Sequence, residues 1–261
     1  MSGRGRIRLY AHRGASYEQP ENTLPSFARA LELGADALEL DVHTTRDGVL
    51  VVSHDPDGAR MTGVRTRFRD ATWAEVQTWD AGWGFTAPGG ERPFAGRGIS
   101  VPALAELVQA FPGVPLNIDL KAQVAEPAVA LLRRLDAEAR VCLASFQAAT
   151  LRRVRRLGYR GPTSLGRAEV ALMLALPARW QRGPLRPPAP VAQLPVSLAR
   201  PWVVARCHAL GLRVDYWTVN QPELARRLIA LGVDGIMTDD PARIAPVVRA
   251  AESAPPAARA G

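Results

Sequence analysis

The stretch Ala37-Leu38-Glu39-Leu40-Asp41-Val42-His43 decides how this chain folds. Its leucines and valine alternate with charged and polar residues at a period of two, the spacing of a strand whose successive side chains point to opposite faces. With the leucines and valine turned toward helices, Glu39 and Asp41 both point into an enclosed interior. LNIDLK, residues 116–121, repeats the arrangement and adds Asp119 and Lys121 at the corresponding strand end. Carboxylates buried this close together need a cation, because unpaired burial is costly.

Outward from that core, apolar runs of four to six residues followed by amphipathic stretches recur about eight times, the signature of a parallel sheet with crossover helices. The reading is a (β/α)8 TIM barrel with a small insertion after the second strand. Strands are expected near 8–11, 37–42, 116–120, 141–145, 162–165, 191–194, 213–218 and 235–238. A single domain over 1–251 is expected, with the insertion at about 56–101, where the alternation lapses around Trp73, Trp79, Trp83 and Phe85, and with a disordered tail over 252–261. Thr23 is placed to cap a helix that stops at Gly34, and Asn220 with Glu223 forms a capping-box pattern opening a helix that ends at Gly232. The proline- and arginine-rich stretch 177–190 reads as a long loop.

At 261 residues, 47% hydrophobic and 22% charged, the composition excludes disorder as the main state and permits a sizeable core. The N-terminal apolar stretch is too short for a signal-peptide core and no run approaches a membrane span, so a cytoplasmic protein without stable membrane association is expected. A net charge of +8 raises nucleic acid as a partner, but the arginines are scattered and not massed in one block, so a solvated surface and no nucleic acid are expected. Cys142 and Cys207 lack the paired spacing of a zinc or redox site and are expected to be buried and inert. Among the 33 basic residues, Lys121 is the only lysine. A compact ammonium at this position suits a crowded phosphate or metal site that a planar guanidinium does not.

Three carboxylates, Glu39, Asp41 and Asp119, suit one divalent cation, Mg²⁺ or Ca²⁺, better than zinc. His12 follows the first strand in YAHRG and His54 follows the extended VLVVSHD, positions at which barrel active sites are built. Two histidines beside a carboxylate triad supply a general acid and a general base near neutral pH. Arg13 offers a bidentate fork for phosphate oxygens and Lys121 a point charge. Trp217 reads either as a flat wall for a small carbon skeleton or as core packing. His43 shares the face of Glu39 and Asp41 and is expected to support the site, while His208 is expected on a helix surface.

Together, AHRG, PENT, ELDVHTTRDG, VVSHD, NIDLK, WTVN and GVDGIMTDDP resemble the glycerophosphodiester phosphodiesterase family, over residues 8–241. The resemblance implies metal-dependent hydrolysis of glycerophosphodiesters to sn-glycerol 3-phosphate and an alcohol. It implies His12 and His54 as the acid–base pair, Arg13 and Lys121 on the phosphate, and Glu39, Asp41 and Asp119 on the metal. Trp217 would line the glycerol pocket and Glu21 of PENT would brace Arg13. One position departs from the family pattern: the third metal ligand is commonly glutamate, whereas Asp119 is shorter, which leaves Mg²⁺ and Ca²⁺ both open. Contacts to the leaving alcohol are expected from 177–190 and from the insertion. The rivals are a phospholipase of the sphingomyelinase D type and a non-catalytic barrel that binds a phosphate ligand.

Overall fold

Side-chain alternation along the strands builds the molecule in two layers. The computed structural model describes residues 6–121, 124–183 and 185–253. Its strands are β1 (Arg8–His12), β2 (Ala37–Thr44), β3 (Leu50–Val52), β4 (Asp57–Gly58), β5 (Val64–Arg67), β6 (Leu116–Leu120), β7 (Val141–Ala144), β8 (Val191–Pro195), β9 (Arg213–Trp217) and β10 (Gly235–Thr238). The main sheet runs β7-β6-β2-β1-β10-β9-β8, parallel throughout, with β3 antiparallel on β2. Thr163 bridges to Leu143 of β7 and Ser164 to Val191 of β8, so these two residues fill the eighth position and close the barrel. The strand expected over 162–165 is therefore reduced to isolated bridges. Pro162 has no N–H to extend the ladder, and the chain turns at Gly166 straight into the helix Arg167–Ala175.

Leu38, Leu40 and Val42 of β2 and Leu116, Ile118 and Leu120 of β6 face the helices in one continuous apolar cluster. Val214 and Tyr216 of β9 and Ile236 of β10 do the same on the other side of the barrel. The alternate positions point inward. Tyr10, Ala37 and Met237 pack together in the interior, and Gln193 donates to Asn117 across it at 2.6 Å. Asp215, fully buried, is paired with Arg213 at 2.8 Å. Both cysteines are buried and free.

Thr23 caps the helix Leu24–Glu32 by accepting from the Ser26 amide, and Gly34 ends that segment at φ +90°. Gly232 terminates the helix Pro222–Leu231 in the left-handed conformation. Asn220 does not cap that helix: Gln221 stands at the cap position with no side-chain bond, and the Asn220 side chain is engaged elsewhere. Within 177–190 the expected loop holds a helical turn, Ala178–Gln181, anchored where the buried Gln181 amide donates to the carbonyls of Met173 and Leu176. The insertion carries the β4–β5 hairpin and a small core of its own, with Phe68, Val76 and Trp79 packed against Val51 and Val101. The last helix, Pro241–Ser253, includes Glu252 and Ser253 of the expected tail; 254–261 lie outside the described residues. Among the described residues no helix is long and apolar enough to cross a membrane.

The turn after β1, at the barrel mouth, is tight. Arg13 and Gly14 both take positive φ, +60° and +89°, and a Cβ on Gly14 would lie 2.3 Å from Ser26 Oγ and 2.8 Å from its carbonyl carbon. Gly14→Ala is expected to lower the unfolding free energy by about 2 kcal/mol or more, because strain and clash act together. Urea denaturation of the purified variant checks this.

Candidate active site

Four inward-facing strand ends and one reversed strand bring the chemistry together. β1 delivers His12, and the turn beyond it Arg13. β2 delivers Glu39 and Asp41, and β6 aligns Asp119 beside Asp41 in register, with Lys121 just past its end. β3 folds back along β2, and the Ser53 amide donates to the Asp41 carbonyl, so His54 returns to the same mouth. Trp217 comes from the end of β9. All eight of these expected site residues line one cavity of about 490 Å³. Glu21 does not line it and sits behind Arg13, its Oε1 3.2 Å from Arg13 Nη1.

Glu39, Asp41 and Asp119 are 5%, 2% and 7% exposed, and their burial governs the electrostatics. Burial, with Asp41 beside it, pushes the Glu39 carboxyl up to about 8. Asp41 resists burial because Lys121, at 2.9 Å, and Arg13, at 3.3 Å, hold it below its ordinary value. Asp119 is paired with Lys121 at 2.5 Å, and burial raises its carboxyl. Lys121 itself would be lowered by burial, but the two aspartates outweigh that and raise it.

The donor set is all oxygen, which fits a hard divalent cation, and Glu39 is a buried carboxylate that such an ion would relieve. As the side chains stand, the Lys121 ammonium bridges Asp41 and Asp119, and among the described residues no three His, Cys, Asp or Glu side chains close into a metal-holding group.

Each cavity histidine has a carboxylate on its Nδ1. His12 Nδ1 is 2.6 Å from Asp239 Oδ1, and His54 Nδ1 is 2.8 Å from Asp55 Oδ1. Asp239 is held below its ordinary value: burial would raise it, but the bond from His12 and further bonds from Asn220 and Ser16 outweigh this. An ionised Asp239 accepts the proton on Nδ1, which leaves His12 Nε2 directed toward Glu39 at 3.9 Å. Burial lowers the His12 pKa, yet Glu39 and Asp239 more than offset it and the net shift is upward. His43 contacts the His54 carbonyl through Nε2 at 3.1 Å and stacks on Phe68, supporting the His54 segment from outside the cavity. His208 pairs with Asp234, away from the site.

Asp239 and Asn220 are site residues that sequence reasoning missed. Asn220 Nδ2 donates to Asp239 Oδ2 at 2.7 Å, while its Oδ1 accepts from the Asp239 amide. The available signal was topological: closing the barrel sets β10 beside β1, with Thr238 opposite Ala11, so the acid after the last strand must meet the histidine that ends the first. On the far side, Phe146 packs edge-on against Trp217 at 5.7 Å, with Arg167 over its ring. No residue of the insertion, and none of the described residues of 177–190, lines the cavity. The cavity wall away from the carboxylates is lined instead by Ser145 and Phe146 after β7, by Leu165, Arg167 and Val170, by Leu194 and Leu198, and by Trp217, while 177–190 leads into the opposite end of β8.

Over residues 12–243 the chain matches the model of the glycerophosphoryl diester phosphodiesterase family. It is 34% identical to a glycerophosphodiester phosphodiesterase of Caldanaerobacter subterraneus, covering 92% of this chain and 97% of that one. It resembles the crystal structure of a glycerophosphodiester phosphodiesterase from Agrobacterium tumefaciens, with TM-score 0.76, 25% identity, and 95% and 100% of the two chains covered. An Oleispira antarctica phosphodiesterase in complex with the product sn-glycerol-3-phosphate also superposes, with TM-score 0.76, 25% identity, and 94% and 97% covered.

Asp239→Asn puts an amide where His12 Nδ1 meets a carboxylate. Turnover is expected to fall by about 10,000-fold with the fold intact, as when a triad aspartate loses its charge. Steady-state kinetics with a melting curve checks both halves.

Proposed function

Since the chain belongs to the glycerophosphoryl diester phosphodiesterase family, we propose that it hydrolyses glycerophosphodiesters to sn-glycerol 3-phosphate and an alcohol, using a divalent cation and the histidines His12 and His54. The observation that carries this reading is the pair of histidine–carboxylate couples opening on one cavity that also holds the carboxylate cluster, Arg13 and Lys121.

Arg13 and Lys121 hold the phosphodiester oxygens and oppose the charge that grows on them in the transition state. Mg²⁺ or Ca²⁺ on Glu39, Asp41 and Asp119 would polarise the phosphate and acidify a nearby hydroxyl. One histidine takes the proton of the glycerol hydroxyl adjacent to the ester as that oxygen attacks phosphorus and closes a cyclic phosphate. The other, protonated, gives its proton to the departing alkoxide. Water then opens the ring with the two roles exchanged, which restores both histidines. Asp239 and Asp55 keep each Nδ1 protonated and each Nε2 turned to the cavity. Trp217 is a flat wall for the glycerol carbons.

A specific observation favours a second reading, a lipid phosphodiester. Phe146, Leu165, Val170, Leu194, Leu198 and Trp217 make one side of the cavity apolar, which a small polar alcohol does not use.

The experiment is release of sn-glycerol 3-phosphate from glycerophosphocholine by the purified protein. Release that EDTA abolishes and that His12→Ala and His54→Ala each reduce by about 1,000-fold or more supports the proposal. Full activity of either variant overturns the histidine assignment. The two substrate readings separate on a series of 1-acyl-sn-glycero-3-phosphocholines with two to eight acyl carbons. A lipid site predicts kcat/KM rising about threefold to fourfold per methylene, from roughly 0.8 kcal/mol for each one buried. A water-soluble substrate predicts glycerophosphocholine as the best of the series.

A further inference from the structure

Arg60 lies in the helix Ala59–Thr62 of the insertion and lines no part of the cavity. Its guanidinium nevertheless makes three charged hydrogen bonds aimed at the site. Nη1 donates to Glu21 Oε2 and Nη2 to Glu21 Oε1, each at 2.8 Å, while Nε donates to Asp55 Oδ2 at 2.6 Å. The other oxygen of Asp55 holds His54 Nδ1, and Oε1 of the same Glu21 carboxylate takes Arg13 Nη1. One side chain is thus a single carboxylate away from a cavity histidine and from a phosphate-binding arginine.

The mount is rigid. A Cβ on Gly84 would strike the Met61 and Arg60 backbone at 2.5–2.7 Å, and a Cβ on Gly58 would meet the Trp79 ring at 2.9 Å, so glycines let the insertion close directly on the Arg60 helix. A bidentate grip on one carboxylate together with a third bond to another uses the fixed planar fork of arginine. The ammonium of lysine has its donors on one atom and cannot span the two acids.

We infer that Arg60 is a positioning residue for both halves of the site: through Asp55 it orients His54, and through Glu21 it holds Arg13 in place for phosphate. The insertion's part in the reaction is then to lock the site from behind, without touching substrate. This rests on the functional reading above.

The test compares native protein with Arg60→Met, Arg60→Lys, Asp55→Asn, Glu21→Gln and the double variant Arg60→Met/Asp55→Asn. Two quantities are measured: kcat on glycerophosphocholine, and the affinity for sn-glycerol 3-phosphate by calorimetry. Arg60→Met and Arg60→Lys are both expected to lower kcat by about tenfold or more and to weaken sn-glycerol 3-phosphate binding several-fold. Asp55→Asn should act mainly on kcat and Glu21→Gln mainly on affinity. The double variant should lose less kcat than the two single losses multiplied together, because both changes cut the His54 link. Either Arg60 variant keeping kcat and affinity within about twofold of native overturns the inference, as does a kcat loss fully additive with that of Asp55→Asn. Native protein that binds sn-glycerol 3-phosphate but hydrolyses nothing contradicts the functional reading alone, and the Arg13 branch is then decided by the affinities.

Discussion

Three carboxylates turned into the mouth of a barrel cannot stay ionised together unless positive charge is brought to them, and much of the architecture answers that constraint. Lys121 bridges Asp41 and Asp119, Arg13 reaches Asp41 from the neighbouring strand, and His12 stands beside Glu39. Glu39 is the one left short of a cation, which is why its carboxyl is driven up to about 8 by burial and its acidic neighbour. A divalent ion on the cluster would relieve that imbalance. The single lysine of the chain sits where two aspartates must share one compact charge.

Around that cluster the reactive groups are held from behind. Asp239 fixes His12 and is itself fixed by Asn220 and Ser16. Asp55 fixes His54, and the His43 ring contacts the backbone of the same segment. Glu21 stands behind Arg13. The charged residues that line the cavity sit at or just past strand ends, whereas, His43 of β2 apart, the residues that hold them come from the loops and the insertion. Loop changes can therefore shift the cavity side chains without reaching the cavity.

The alternation in residues 37–43 and 116–121 was enough to set which side chains face inward, because a strand has a period of two and the apolar partners were unambiguous. It brought the expected cavity residues to one mouth and left Glu21 behind Arg13. What local pattern could not supply is pairing across chain closure. Asn220 satisfied a capping box on paper, but the last strand lies beside the first, and Asp239 claims its side chain instead. The eighth strand position was expected over 162–165 and is filled there by two bridges, at Thr163 and Ser164, but Arg60 meets Glu21 across 39 residues of sequence. These contacts are set by topology rather than by spacing.

The claim on which the rest turns is that the inward carboxylates form a cation site. It is tested most directly by titration calorimetry of chelator-stripped protein with Mg²⁺ and with Ca²⁺, native against Glu39→Gln. The account predicts one ion bound per native chain and at least about a tenfold loss of affinity in the variant, the scale of removing one charged ligand. Native protein that takes up neither ion at millimolar concentration, or a variant that binds as tightly as native, would contradict it.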